Sequence, residues 1–481
     1  VAASAVFYLE AKQGILRLFR AISDLVPLDA DYPERTRVLT IYQRILDGTI
    51  YDVLPYEFHE ERSLSGEYVP LRQRRPSVRY GLARLVVEDS VALLFSEGHF
   101  PSFESSDATV RDALAAFVRD ARLNAVMVEA GLRGSVGSVA LLLRVLRGRV
   151  FVDVLDALYL TPEWDRQAPD TLMRITERYK ASGASLAAQG FPIADPSEIY
   201  WFQRVWDDEF ERWYQPMPVG SAGEAEEDSG RSIRHGLGFV PLVWIRNLPG
   251  GQGVDGACTF RSAIDTGIEI DYQLSQAGRG LKYSSDPTLL IREPAGLDGT
   301  MVRGAANALV VSEKGDAKLL EIGGTASQAV IEYVRVLRDL ALESLHGNRA
   351  DAQRLAAPAS GRAMELMQQG LLWLADNLRV SYGQGALLSV ARMVLRASHV
   401  FPLRIEGRSV PALNANAQVS LRWPDWYPDD ALDGQRKAET LISLVGAAQM
   451  SRETALRILA SDYDIEDVAI ELQRIRAEHA G

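Results

Sequence analysis

Cysteine is nearly absent: the 481 residues carry one, Cys258. A single thiol excludes a disulfide framework within the chain and fits a reducing cytoplasm. With no partner near it in sequence, Cys258 reads as a small core or helix-start residue rather than a nucleophile. Long apolar runs are missing too. Nothing approaches the roughly 18–20 residues that a membrane span needs. The stretch Val1-Ala-Ala-Ser-Ala-Val-Phe7 has no basic region before it and Glu10 soon after, so it does not read as a secretory signal. Histidine is scarce: His59, His99, His235, His346, His399 and His479 are scattered, with no pair at metal-ligand spacing. There is no Gly-x-Ser-x-Gly elbow. The glycine run Gly131-Leu-Arg-Gly-Ser-Val-Gly137 lacks the Gly-Lys-Ser/Thr ending of a phosphate-binding loop. The expectation is a chain that is not an enzyme, with no catalytic residues, no metal and no cofactor.

Positive charge is in deficit: 52 Lys and Arg stand against 64 Asp and Glu, a formal net charge of −12. That balance argues against a protein that grips nucleic acid over a broad surface, which needs clustered cations to displace counterions. It suits a wall past which DNA slides, and it equally suits simple solubility. A hydrophobic fraction of 47% with 24% charged residues is ordinary for a globular chain. The length implies several structural units.

What is present is organised around 240–362. After the apolar run Val240-Pro-Leu-Val-Trp-Ile245 and the break Pro249-Gly-Gly-Gln-Gly253, a helical pattern runs from about Ala257 to Lys282. Ile270, Leu274, Ala277 and Leu281 make one apolar stripe, with Asp265, Glu269 and Asp271 pointing elsewhere. From 284 to 324 short β-prone pieces follow: Thr288–Ile291, Ala308–Ser312 and Lys318–Ile322. A second helix opens on the capping-box sequence Thr325-x-x-Gln328 and carries Val330, Val334, Leu337, Ala341 and Leu345 as its stripe. It ends at His346-Gly347, and a polar, Ala-rich segment reaches Ser360 before Gly361-Arg-Ala-Met-Glu-Leu366. Two helices of 20–25 residues would each be about 30–38 Å long. An insert between antiparallel helices must lie at their far end.

Around this stretch, helices are expected at Phe7–Leu25, Tyr80–Phe95 and Asp107–Leu146, the last broken by the glycine run. The basic cluster Arg72-Gln-Arg-Arg75 reads as a solvated approach to a helix, with phosphate contact as the alternative. Arg149–Leu155 alternates as a strand. Tyr200–Tyr214 reads as a hairpin turning at Asp207-Asp208, its aromatics packing rather than stacking on bases. Gly220–Gly230 reads as a mobile linker. Further on, Met364, Met367, Leu371, Leu374 and Leu378 share a helical stripe. A helix at Ala386–Ala397, β-like residues Phe401–Trp423 and helices at Ala431–Gly446, Ser451–Leu459 and Ile465–His479 complete the chain, with Ser451 and Asp464 as N-caps.

This order of segments resembles the portal proteins of tailed bacteriophages, the long-tailed type above all. The resemblance implies an α+β, mainly helical fold: a wing at 1–232 and 361–425, a connection at 233–256, stem helices at 257–283 and 325–346, a β clip at 284–324, a tunnel loop at 347–360 and a crown at 426–481. It implies a ring of twelve copies at a capsid vertex, assembled in the host cytoplasm and housed in the virion. Double-stranded DNA would pass through its channel without sequence specificity. Terminase, a head-completion adaptor and the major capsid or scaffold protein would be its partners, with no membrane. In these terms Asn348, Arg349 and Arg354 face DNA. Ile270, Leu274, Leu281, Val334 and Leu337 pack the stem, and Arg292, Glu293, Arg303 and Lys314 form the docking tip together with Glu313. A stalk projecting from its own domain would bury its stripe only against neighbouring copies. Another oligomeric scaffold or pore without DNA passage, or an enzyme whose site is assembled from distant residues, remain the alternatives.

Overall fold

The computed structural model describes residues 19–27, 29–221, 223–285, 288–294, 311–320, 325–345, 369–426, 431–460 and 468–479. The fold is mainly helical α+β. It divides into two compact units, one of 1–348 with 373–424 and one of 349–372 with 425–481. Among the described residues no helix is long and apolar enough to cross a membrane.

The first unit begins with a helical turn at 19–23, where Ile22 is fully buried, and with α1 (Glu34–Leu46). Short strands β1 (Tyr56–Glu57) and β2 (Arg74–Arg75) pair in parallel. Gly81, in the left-handed region at φ 66°, turns the chain into α2 (Leu82–Phe95). After β3 (Ser102–Glu104), the Asp107 carboxylate accepts from the N–H groups of Thr109 and Val110 and so caps α3 (Ala108–Asp120). α4 (Leu123–Gly134) follows.

The helix expected to continue to Leu146 is instead a strand, β4 (Ser138–Leu146). Its run Val139–Leu143 is buried on both faces, and periodicity alone cannot separate a doubly buried strand from a buried helix. Arg147 and Gly148, at φ 53° and 80°, give the paired positive φ values of a tight hairpin turn into β5 (Arg149–Asp156). The next strands are β6 (Leu160–Trp164), β7 (Leu172–Ser182), β8 (Ile199–Trp206), β9 (Phe210–Trp213), β10 (Met217–Pro218) and β11 (Ile233–Arg234), with α5 (Gly183–Ala188) after β7. They form one antiparallel sheet in the order β11-β9-β8-β7-β6, with β10 also on β8. The β8–β9 hairpin turns at Asp207, whose Oδ1 accepts from the N–H groups of Glu209 and Phe210. β12 (Leu242–Arg246) joins β4 and β5 in a three-stranded sheet. Ala140 and Leu142 of β4 meet Leu160, Ile175 and Trp206 of the larger sheet in one core. The opposite face of β4 meets helices, Val139 lying against Gly134 of α4.

The Tyr200–Tyr214 aromatics are core material: Tyr200, Phe202 and Trp206 are buried. Trp206 and Trp213 flank the Arg204 guanidinium, which pairs with Glu177 and Glu211. Burial raises the Glu177 carboxyl, with Arg204 opposing the shift. The acidic linker is pinned where it returns to this hairpin, since the Gln215 N–H donates to Glu226 O and the Asp228 N–H to Trp213 O.

The helical arm then follows as α6 (Ile264–Ser285), β13 (Thr288–Pro294), β14 (Val311–Leu320) and α7 (Thr325–Ser344). α6 starts at Ile264, later than the pattern from Ala257 suggested, because an antiparallel bridge with Leu248 holds Ala257 extended. Beyond it, α8 (Gln369–Leu378) runs into a π-helical turn, Arg379–Leu387, and on into α9 (Leu388–Val400). Of the expected Met/Leu stripe, Leu371, Leu374 and Leu378 are buried, while Met364 and Met367 lie outside the described residues. β15 (Leu403–Ile405) and β16 (Arg408–Val410) form a hairpin, and β17 (Ser420–Arg422) pairs with β3. In the second unit α11 (Arg452–Leu459) packs on α10 (Ala431–Gly446) and α12 (Val468–His479). The Ser451 hydroxyl caps α11 by accepting from the Thr454 N–H, whereas Asp464 lies outside the described residues.

One buried side chain ties the first unit together. Asn247 donates through Nδ2 to Ala257 O at 2.9 Å and Thr259 Oγ1 at 2.8 Å, and its Oδ1 accepts from the Tyr382 hydroxyl at 3.1 Å. Its backbone N–H donates to Gly137 O at 2.9 Å. A Cβ at Gly134 would collide with the Tyr382 hydroxyl, so glycine there is a condition of the contact. Asn247→Ala leaves that hydroxyl and two acceptors unanswered in the interior and should cost about 2–4 kcal/mol. Tyr382→Phe removes a single bond and should cost about 1–2 kcal/mol. Denaturant unfolding measures both, and a wild-type midpoint for Asn247→Ala would contradict the assignment.

Candidate assembly and docking site

The arm formed by α6, β13, β14 and α7 is deeply anchored at its base. α6 has two buried faces. On one, Asp271, Tyr272 and Ser275 are buried and bonded to residues 51–80. Asp271 Oδ2 accepts from the Tyr51 hydroxyl and Oδ1 from the Tyr80 N–H, both at 2.7 Å. Ser275 Oγ accepts from the Val78 N–H at 3.0 Å, and the Tyr272 hydroxyl donates to Arg74 O at 2.9 Å. One helical turn beyond Ser275, Arg279 pairs with Glu61. Asp271 was expected to point away from the packed stripe; it is instead only 7% exposed. Burial raises its carboxyl to about 6 against the pull of the two donors and of Arg79. Burial, and then Asp271 itself, hold the Tyr51 hydroxyl well above its usual range.

The basic cluster at 72–75 also belongs to this seat. Arg74 is 1% exposed, its guanidinium over the rings of Phe58 and Tyr68. It donates to Phe58 O and the Tyr68 hydroxyl. Arg75 donates to Leu54 O and pairs with Glu57. Arg74 is committed internally, so the solvated-approach reading and the phosphate-contact reading both fail for it, while Arg75 stays at the surface in an exposed ion pair. A charge run in sequence does not reveal that aromatic rings 16 and 6 residues upstream will enclose a guanidinium.

The second buried face of α6 carries Ile270 and Ala277, and the helix packs on α7. The two run antiparallel, since Ser262 just before α6 donates to the carbonyl of Ser344 at the end of α7. On α7, Leu337, Ala341 and the following Leu345 are buried, and Val334 is half-buried. Much of the expected stripe is thus covered within the chain itself, so its burial does not depend on neighbouring copies alone. Leu274 is half-buried and Leu281 is 50% exposed. α7 has a second apolar stripe that the described residues leave partly exposed. Tyr333, Val336 and Leu340 are 38%, 48% and 39% exposed and lie roughly a third of a turn from the buried face.

Between the helices, β13 and β14 pair antiparallel from Thr288 opposite Leu320 to Arg292 opposite Asp316, with an irregularity before Pro294 meets Val311. Arg292 and Glu293 are on β13, Glu313 and Lys314 on β14. Arg303, and the expected DNA-facing Asn348, Arg349 and Arg354, lie outside the described residues.

At the start of the arm, a cleft of about 630 Å³ opens between α1 and the Gly250–Gly256 loop. Its charges are answered in place: Arg35 forks onto both Asp255 oxygens at 2.6 and 2.9 Å and donates to Leu160 O, and Arg261 donates to the Tyr42 hydroxyl. Cys258 borders it, but burial pushes the thiol up to about 12, so it stays protonated and unreactive at neutral pH.

The burial pattern separates two leucine substitutions that the sequence alone treats alike. Leu337→Asp puts a charge between α6 and α7 and should cost about 3 kcal/mol or more. Leu281→Asp should stay within about 0.5 kcal/mol. Thermal unfolding of the two variants checks this, and equal losses would mean that α6 and α7 do not pack as described.

No family model matches the chain, and no curated protein matches it. Among solved structures 98 chains match. One similar chain comes from the virion of a native gene transfer agent particle, with 13% identity, a TM-score of 0.37, and coverage of 79% of this chain and 88% of that one.

Proposed function

We propose that the chain is a portal-type subunit that assembles into a ring of twelve copies at a capsid vertex. DNA passes through the ring on packaging and ejection. The observation that carries this reading is the arm: two antiparallel helices closed by a β hairpin, the first seated on the body and the second keeping Tyr333, Val336 and Leu340 partly exposed among the described residues. A stripe of that kind on a helix already packed on one side supports a further helical neighbour. A repeated head-to-tail contact that closes gives a ring. The net charge of −12 supports a channel that lets DNA slide. The hairpin, open on both strand edges among the described residues, and its mixed charges suit successive partners, a packaging terminase and then a head-completion adaptor. In this reading the chain works without a cofactor and hydrolyses no nucleotide. Packaging energy comes from the docked terminase.

Electron microscopy of the purified protein tests assembly. Wild type should show rings with a central hole. Val336→Asp with Leu340→Asp should give monomers of unchanged melting temperature, since both side chains are already substantially exposed. Wild-type monomers at high concentration, or intact rings in the double variant, would overturn the assembly surface.

Charge reversal at Arg292, Arg303 and Lys314 should leave rings intact and weaken pull-down of terminase or adaptor by roughly tenfold or more. Full binding would place docking elsewhere. Deleting 349–357 should spare assembly and impair packaging, and normal packaging would favour a ring that does not conduct DNA.

A further inference from the structure

We propose that Asp271 is a proton-operated latch for the arm: with its carboxyl protonated, α6 is held on residues 51–80 more firmly than with it ionised. The inference stands apart from the ring, since it concerns one chain.

The geometry is that of a buried carboxylate with donors but no counter-ion. Asp271 accepts from the Tyr51 hydroxyl and the Tyr80 N–H. Among the described residues no cation lies within ion-pair distance of it. Arg79 is close enough to be felt, but its guanidinium is committed to Gly48 O and Asp52. The other ionisable groups around the seat do not answer the charge. Tyr272, next along α6, donates to Arg74 O. Arg338 of α7 reaches Tyr80 and pairs with Asp339. Arg279 pairs with Glu61, and α2 meets α6 where Leu82 lies beside Gly267. Two hydrogen bonds offset part of the cost of burying the ionised form, and no full opposite charge completes it.

The direction of the pH effect follows. The carboxyl sits at about 6 when seated against 3.8 when solvated, so seating favours the protonated form. The hold is therefore complete below about pH 4 and declines as pH rises through about 6. On those values the opening equilibrium of the seat rises about tenfold between pH 5 and pH 7. Because α6 leads directly into β13, a proton taken up in the body alters how firmly the docking hairpin is anchored.

The seat contains its own reporters, the Tyr80 and Val78 amides, which donate to Asp271 and Ser275. Hydrogen–deuterium exchange of the full chain, corrected for the intrinsic pH dependence of exchange, should show their protection falling about tenfold from pH 5 to pH 7. In Asp271→Asn protection should be equal at the two values. Tyr51→Phe removes one donor to the ionised form, so the fall should steepen and extend to higher pH. Equal wild-type protection at both pH values, or the same fall in Asp271→Asn, would overturn the latch. Should Asp271→Asn not fold, Tyr51→Phe decides: a purely structural Tyr51 lowers protection by one factor at every pH, and that result also overturns it.

Discussion

The first unit depends on satisfying backbone groups where four segments cross, and Asn247 does this with one amide. The turn after α4, the end of β12, the approach to α6 and the π-helical turn all bring polar groups into an interior that admits no solvent to bond them. Ala257 offers only a carbonyl oxygen, so the amide nitrogen must face it, and the oxygen is then left for the Tyr382 hydroxyl. The arrangement has a single orientation. That makes it a means of fixing the crossing rather than only of stabilising it. The start of α6 is set from this point, since Ala257 and Thr259 are held before the helix begins.

From there α6 divides its surface by chemistry. Toward residues 51–80 it is polar and hydrogen-bonded, and toward α7 it is aliphatic. A hydrogen-bonded face demands one register, whereas an aliphatic face tolerates small sliding. The helix is therefore located by Asp271, Tyr272 and Ser275, and the pair is held together by Ile270, Ala277, Leu337 and Ala341.

Much of the secondary structure was legible because it rests on local signals. The hairpin at Asp207, the cap at Ser451, the first β piece of the arm and the apolar side of α7 all follow from residues close in sequence, whereas the pieces expected at 308–312 and 318–322 belong, where described, to the single strand β14. What was not legible depends on distant partners. The Leu-rich β4 passes for helix until two layers are seen to cover it. Arg74 passes for a solvated cation until Phe58 and Tyr68 are seen around it. Asp271 passes for an outward charge until Tyr51, 220 residues away, donates to it. The second stripe of α7 was hidden differently, since Tyr333, Val336 and Leu340 interleave with the first and blur its period.

The π-helical turn between α8 and α9 fixes an angle. Each residue in an α-helix advances the next by about 100°, so a wider turn resets which side of α9 is presented relative to α8. Val390, Val394 and Leu395 of α9 are fully buried, as is Tyr382 within the turn. These positions share one interior only because the turn holds its full complement of residues. A chain one residue shorter here would keep every apolar side chain and aim half of them at water. Length is therefore a contribution of this segment in its own right, beside the Tyr382 hydroxyl and a Gly383 whose missing Cβ makes room for the Trp423 ring.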